Sequence, residues 1–471
     1  MTIDVFSSAR DMLDAVRSRD ISAVELLELH RRQIEYVNPK VNALVSIDFE
    51  RAHEQATAAD AATERGAAVG RLHGLPFGFK DTHAVGGWLT TSGSPIFADL
   101  VPTRSDLHVQ RVQDAGAITV AKTNVPEFAA GSHTFNPVFG LTRNPYDPDR
   151  SAGGSSGGSA VALATGMLPL ADGSDMGGSL RNPASFNNVV GFRPSPGRVP
   201  VWPNPTPWDT LAVAGPMART VDDLCLLLSV LAGPTSKTEL ARELPGDTFS
   251  PLLPRTLAGA RVAFDIDLGG SFAVDNDVRA VIEAQRSVFS DAGAVVEEAH
   301  PRLDGADEVF RVLRAWLFQL RLGDLLARHP GRMKDSLVQN IQAGVGLTGE
   351  QLGRALTSKA RIYQVMDQFF EKFDLLALPV SQVPPFDAEL EFPTEINGQQ
   401  MESYLDWMRS AYFITVTGCP AISLPAGFTA QGWPVGIQLV AAPGQDLKLL
   451  QLARSFEQAN PAGQRRPLLA V

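Results

Sequence analysis

The chain has 471 residues, 44% hydrophobic and 20% charged, with a formal net charge of -11. This is ordinary globular composition, and the length permits two or three domains only as a soft prior. The acidic balance argues against nucleic acid or an anionic membrane as the main partner, since both demand a basic face. Two cysteines are too few for a disulfide framework or a zinc site, and the eight histidines are scattered with no ligand cluster. No metal and no organic cofactor is therefore expected.

The opening stretch, MTIDVFSSARDMLDAVRSRD, is charged throughout and lacks the apolar core of a signal peptide. No apolar run approaches the ~18 to 20 residues that span a bilayer. A soluble, cytoplasmic protein is expected. Residues 1–68 read as helices packed on a core. Ser22 and Glu25 have capping-box spacing, Val24, Leu27 and Ile34 share a face, and Pro39 is read as a stop. A second helix is expected from about Asp48 to Arg65. Beyond Gly70, short apolar runs alternate with helices. GLPFGFKD and AGAITVAKTN read as strands, with a helix around Asp106 to Ala115 between them. RVAFDIDL, DLLALPVSQ, PAISLPAGF and PVGIQLVA read as further strands, and DVRAVIEAQRSVFSDAG as a helix. ITVTGCPA is also read as a strand. Such alternation argues for an α/β fold with a largely parallel or mixed sheet. No linker separates two cores, so 69–471 reads as one domain, with a helical insert at about 304–363 and a proline-stiffened loop, VWPNPTPWD.

The string SAGGSSGGS, Ser151 to Ser159, has the composition of a flexible linker, yet it runs straight into AVALATGMLPLA. A linker should be flanked by boundaries, and here a small-residue helix from about Ser159 to Gly166, apolar nearly all round, follows at once. A phosphate cradle would need a terminal Gly-Lys-Ser/Thr or a dinucleotide fingerprint, and neither is present. Gly153 to Gly157 spells G-x-S-x-G, but the nucleophile elbow needs a strand before it and a histidine base. RNPYDPDR precedes it, and no histidine lies between His133 and His300.

A fourth reading adds DGSDMGGSLRNPA, Asp172 to Ala184. Two glycine-serine loops then flank one buried helix and a short MLPLA strand, and both can face one site. Gly177 and Gly178 precede Ser179 and let backbone N–H groups turn inward, as an oxyanion hole requires. Pro183 suits the first turn of a following helix, with Asn182 as its cap. A serine nucleophile needs a base, and lysine is the next candidate in a pocket bare of imidazole. Between Lys40 and Lys237 only Lys80 and Lys122 occur. Lys80 sits on the strand whose other face carries Leu75, Phe77 and Phe79. Burial there disfavours the charged amine and leaves it neutral.

With GLPFGFKD upstream, GGSSGGSA and DGSDMGGSLRNPA resemble the amidase signature family. The likeness continues through AKTNVPEF, GFRPSPGRVP, GPMARTVDDL, GCPAISLPAGF and PVGIQL, so it covers roughly Gly70 to Glu457. It implies a single α/β/α domain, a large mixed sheet with helices on both sides. It also implies a Ser-cisSer-Lys triad: Ser179 as nucleophile, Ser155 as bridge after a cis bond from Gly154, and Lys80 as base. The N–H groups of Met176, Gly177 and Gly178 would hold the oxyanion, with Asp175, Arg181 and Ser156 in support. The sequence departs from the family's commonest pattern at Met176, Asn187, Asn188 and Arg193, none of which removes a catalytic atom.

The implied activity is hydrolysis of an amide through an acyl-enzyme, with a small-molecule amide or carbamate substrate and water. Aryl amides, small aliphatic amides, urethanes and esters all fit. The alternatives are the glutaminase component of glutamyl-tRNA amidotransferase and a non-catalytic binding protein that kept the fold. Trp202, Trp208, Trp316, Met408 and Tyr412 are the candidate pocket residues and lean towards an apolar or aryl substrate. A monomer or homodimer is expected.

Overall fold

The computed structural model describes residues 3–470. Eleven strands form one mixed sheet. In chain order they are β1 (Leu44–Val45), β2 (Pro76–Lys80), β3 (Ile118–Thr123), β4 (Leu170–Asp175), β5 (Val190–Arg193), β6 (Val213–Ala218), β7 (Arg261–Phe264), β8 (Val295–Glu298), β9 (Leu375–Pro379), β10 (Ala421–Phe428) and β11 (Pro434–Val440). The spatial order is β1-β3-β2-β4-β6-β5-β10-β11-β9-β7-β8. β2 runs parallel to both β3 and β4, and β9, β7 and β8 are also mutually parallel; the remaining pairings are antiparallel. This is the α/β architecture with a mixed sheet and flanking helices.

Parallel strands are covered on both faces, so β2 is buried along its whole length. Phe77 and Phe79 project to one face and their rings meet at 4.7 Å. Each fully buried ring contributes roughly 1.5–3 kcal/mol. Lys80 ends β2 and Asp175 ends β4, its parallel neighbour. Both therefore lie at the carboxyl ends of parallel strands, where open α/β sheets place their sites. The helix Gly157–Ala164 is buried at every position, as an all-round apolar sequence requires.

Several elements differ from the sequence reading. Residues 1–68 are not purely helical, because β1 pairs with β3 through Leu44 opposite Thr123. Two residues are too few to show an alternating pattern. Pro39 does not stop its helix, which runs Ala23–Val41 and ends on Asn42 in the left-handed region. The proline costs only the donor to the Glu35 carbonyl in the last, exposed turn. The DVRAVIEAQRSVFSDAG segment breaks at Ala284 into Asn276–Glu283 and Gln285–Asp291. ITVTGCPA is not a strand: Ile414 to Thr417 close the helix Arg409–Thr417, which Gly418 terminates at φ 72°, and β10 begins only at Ala421. A buried helix face and a buried strand look alike over so short a run. The 304–363 region holds the helices Ala306–Arg328, Asp335–Ala343 and Gly349–Phe370. Among the described residues, no helix is long and apolar enough to cross a membrane.

Candidate active site

Lys80 is fully buried, and its Nζ lies 2.7 Å from Ser155 Oγ, 2.9 Å from Ser156 Oγ and 3.0 Å from Ser174 Oγ. A neutral amine offers two donors and one lone pair, and each hydroxyl can either give or take a hydrogen bond. Three hydroxyls therefore satisfy the uncharged form completely. Burial pulls the Lys80 amine down to about 7, against the opposing pull of the Asp172 and Asp175 carboxylates.

The glycine-serine string is packed solid. A side chain on Gly158 would meet the Asn124 backbone nitrogen at 2.2 Å and the Ala43 carbonyl oxygen at 2.5 Å. Its glycines admit close backbone approach, and the string is not a tether. The Gly154–Ser155 peptide bond is cis, as the resemblance implied. Ser132 and Thr134 donate to the carbonyls of Gly154 and Gly153 and clamp the turn from below. The second loop meets the first through Ser156, whose N–H donates to the Ser179 carbonyl at 3.2 Å.

That second loop is held by Asp175. Its carboxylate takes two bonds from Arg181, at 2.9 and 3.0 Å, and one from Arg193 at 3.2 Å. Burial would raise Asp175, but the two guanidinium charges win and hold it well below the usual carboxylate range. Arg193 also donates to the Asp175 carbonyl at 2.6 Å. Asp175 further accepts the N–H groups of Gly178 at 3.0 Å and Leu180 at 3.1 Å. The Gly178 N–H is thus already engaged, which differs from the expectation that three successive amides face an oxyanion. The N–H groups of Met176 and Gly177 have no partner among the described residues. Gly178 has φ +115°, and a side chain there would meet Ala411 Cβ at 2.7 Å. Asn182 is not a helix cap. The helix is Arg181–Phe186 with Leu180 before it, and the Asn182 amide instead donates to Ser132 Oγ.

Ser155, Ser174, Met176 and the half-buried Ser179 line one cavity of about 310 Å³. Phe128, Val199, Leu240, Phe318 and Leu322 give it a largely apolar wall. The aromatics picked from the sequence sit elsewhere. Trp208 stacks on Trp316 at 5.2 Å, and Trp202 borders a separate cleft with Lys237 over its ring. Tyr412 stacks on Phe310 and hydrogen-bonds Asp307. Met408 is buried behind Gly177, with its Cε 3.5 Å from where a side chain on that glycine would begin. These side chains pack around the cavity; the wall itself comes from Phe128, Val199 and Leu240 and from Phe318 and Leu322 of the helix Ala306–Arg328.

The cavity is not bare of imidazole: His83, three residues after Lys80, lines it. His83 Nδ1 is 2.6 Å from Asp172 Oδ2, and the other Asp172 oxygen accepts the Lys80 backbone N–H at 2.7 Å. His133, beneath the first loop, is engaged by Ser151 Oγ and the Ala388 carbonyl. The sequence reading missed Ser174, Asp172 and His83. Only adjacency to the two motifs pointed to them.

A family model described as Amidase matches residues 25–450. An acylamidase of Rhodococcus erythropolis is 34% identical over 465 residues, covering 98% of this chain and 97% of that protein. The A-type component of the glutamyl-tRNA(Gln) amidotransferase of Moorella thermoacetica is 32% identical over 490 residues, covering 99% of each. The crystal structure of a bacterial aryl acylamidase superposes with a TM-score of 0.92 at 28% identity, covering 98% of this chain and 97% of that one.

Proposed function

This chain belongs to the amidase signature family and is an amide hydrolase; we propose that it cleaves apolar and aryl amides through an acyl-enzyme on Ser179. The observation that carries the residue assignment is the 2.7 Å contact between a fully buried Lys80 amine and Ser155, in a cavity that Ser155 shares with Ser179. Neutral Lys80 takes the Ser155 proton as Ser155 takes that of Ser179. The Ser179 oxygen attacks the carbonyl, and the N–H groups of Met176 and Gly177 receive the oxyanion. The proton returns through Ser155 to the leaving nitrogen, and water releases the acyl group. Asp175, held by Arg181 and Arg193, fixes the loop that carries Ser179.

The apolar cavity wall supports anilides and other apolar amides as substrates, with carbamates presenting the same carbonyl. The similarity to the amidotransferase component keeps glutamine as a second reading. In this cavity the ion pair that could bind its charged ends, Asp209 with Arg321 at 3.1 Å, is closed on itself. A turnover screen of the purified chain over anilides, carbamates, p-nitrophenyl esters and glutamine tests the reading. Anilide turnover by the chain alone supports it. Glutamine as the sole substrate, with ammonia released, overturns it in favour of the amidotransferase role.

A further inference from the structure

We propose that Asp172 is a positioning residue for the base: one carboxylate oxygen fixes the backbone from which Lys80 projects, and its charge sets the pH at which the Lys80 amine can take a proton. This rests on Lys80 as the base. The backbone ladder between β2 and β4 closes at Gly78 opposite Ala171. Beyond it a side chain takes over, and Asp172 Oδ1 accepts the Lys80 N–H at 2.7 Å. On the other side of β2, the Asp81 N–H goes to the Thr123 carbonyl at 3.0 Å. The end of β2 is therefore tied to both neighbouring strands. From that fixed point the amine reaches Ser155, Ser156 and Ser174. Asp172 Oδ2 is held in turn by His83 Nδ1 at 2.6 Å, so the buried carboxylate is clamped at both oxygens.

Asp172 is also the carboxylate with the largest hold on the amine's charge. Burial lowers Lys80, and of the acids that oppose this Asp172 counts for more than Asp175. The other charges nearby are matched or absent. Asp175, on the same strand, is paired with Arg181 and Arg193. Asp81, after β2, faces Lys122 of β3 at 3.9 Å, an ammonium that burial lowers to about 8. Asp106, which precedes the helix Leu107–Asp114, accepts the Ala84 N–H at 2.9 Å. His108 of that helix lies 3.8 Å from Asp172 Oδ2, and burial lowers it to about 3, so it brings no charge. Asp172 has His83 as its hydrogen-bonded partner, and an imidazole is charged only when protonated, whereas a guanidinium always is. Asp172 thus keeps a field that the two arginines take from Asp175, and a carboxylate so placed favours the charged amine.

Substitution separates charge from geometry. Asp172→Asn keeps an oxygen for the Lys80 N–H and removes the charge, so the amine becomes neutral at lower pH. Asp172→Ser removes the charge and is also too short to hold that N–H. His83→Gln keeps a donor towards Asp172 and leaves the carboxylate charged, so it cannot move the amine in that direction.

The test is the pH dependence of two rates, kcat/KM for an anilide and labelling of Ser179 by a fluorophosphonate, in the parent and these three variants. We expect the acid-side limb of both rates to move down by about one pH unit in both Asp172 variants. The plateau of Asp172→Asn stays within about tenfold of the parent, and that of Asp172→Ser falls further. In His83→Gln the limb stays or moves up. A limb at the parent position in both Asp172 variants overturns the proposal, whatever the loss of rate, because loss without a shift marks a structural role. A downward shift in His83→Gln as large as that in Asp172→Asn also overturns it, since the amine then does not answer to the charge on Asp172. A parent profile with no limb near 7 overturns Lys80 as the base, a distinct result.

Discussion

Ser174 Oγ lies 3.0 Å from Lys80 Nζ and completes a ring of three hydroxyls around one buried amine. Ser155 and Ser156 come from the first glycine-serine loop and Ser174 from the strand that leads into the second. The amine is therefore the point at which the two loops are joined. Ser174 also stabilises the charged form when it accepts from an ammonium. Ser174→Ala is expected to move the rising limb of the pH–rate profile to lower pH and to lower the plateau rate. A pH series of kcat/KM checks both.

The parent profile has its own sign. Lys80 acts as a base only when neutral, and burial places it at about 7. Activity on an anilide should fall as pH drops through that value and level off above it. An acid-side limb centred near 4, with none near 7, would count against Lys80 as the base.

Lys80→Met removes the proposed base and keeps the volume of the stem. We expect activity to fall by at least about 10³-fold, within the range of a lost general base. Stability follows the opposite course. The folded amine is held below its unfolded value, so the unfolded chain binds the extra proton between about pH 7 and the ordinary lysine range. The parent thus gains stability as pH rises through that window, and the methionine variant lacks this gain. Thermal melts at pH 7 and 9 measure the difference.

Asp175→Asn leaves Arg181 and Arg193 buried without their charge partner. Breaking such a pair costs roughly 3–5 kcal/mol, so a large fall in the melting temperature is expected. Arg193→Lys keeps a charge beside Asp175 and should be far milder. Comparable losses in both variants would show that charge is not what holds the loop.

The cavity wall yields a substrate test. Leu322 is half-buried in it, whereas Trp208 stacks outside on Trp316. Leu322→Trp should lower kcat/KM for a bulky anilide about tenfold and leave a small aliphatic amide within about threefold, since pocket contacts are worth roughly 1–3 kcal/mol. Parallel kinetics on the two substrates decide it.

Much of this site could be read from local pattern. Lys80, Ser155 and Ser179 stand in short motifs whose glycines have no other reason to cluster, and the strands around them carry clean apolar runs. What escaped the reading depends on distance along the chain. His83 and Asp172 are 89 positions apart and meet only because β2 and β4 are neighbours in the sheet. The aromatic candidates failed for a related reason. Size and polarity place Trp316 or Tyr412 near a helical layer, but they do not say which side of that layer faces the cavity. Met408, Tyr412 and the ITVT segment share one helical stretch whose buried faces look alike in sequence.

Interring an amine at the end of β2 has a thermodynamic corollary. The work of stripping its proton is done once, as the chain collapses around it, and no catalytic cycle repeats that work. The penalty accrues between about pH 7 and the ordinary lysine range; below that the amine is charged in either state, so acidity that silences the chemistry takes nothing further from the architecture through this group.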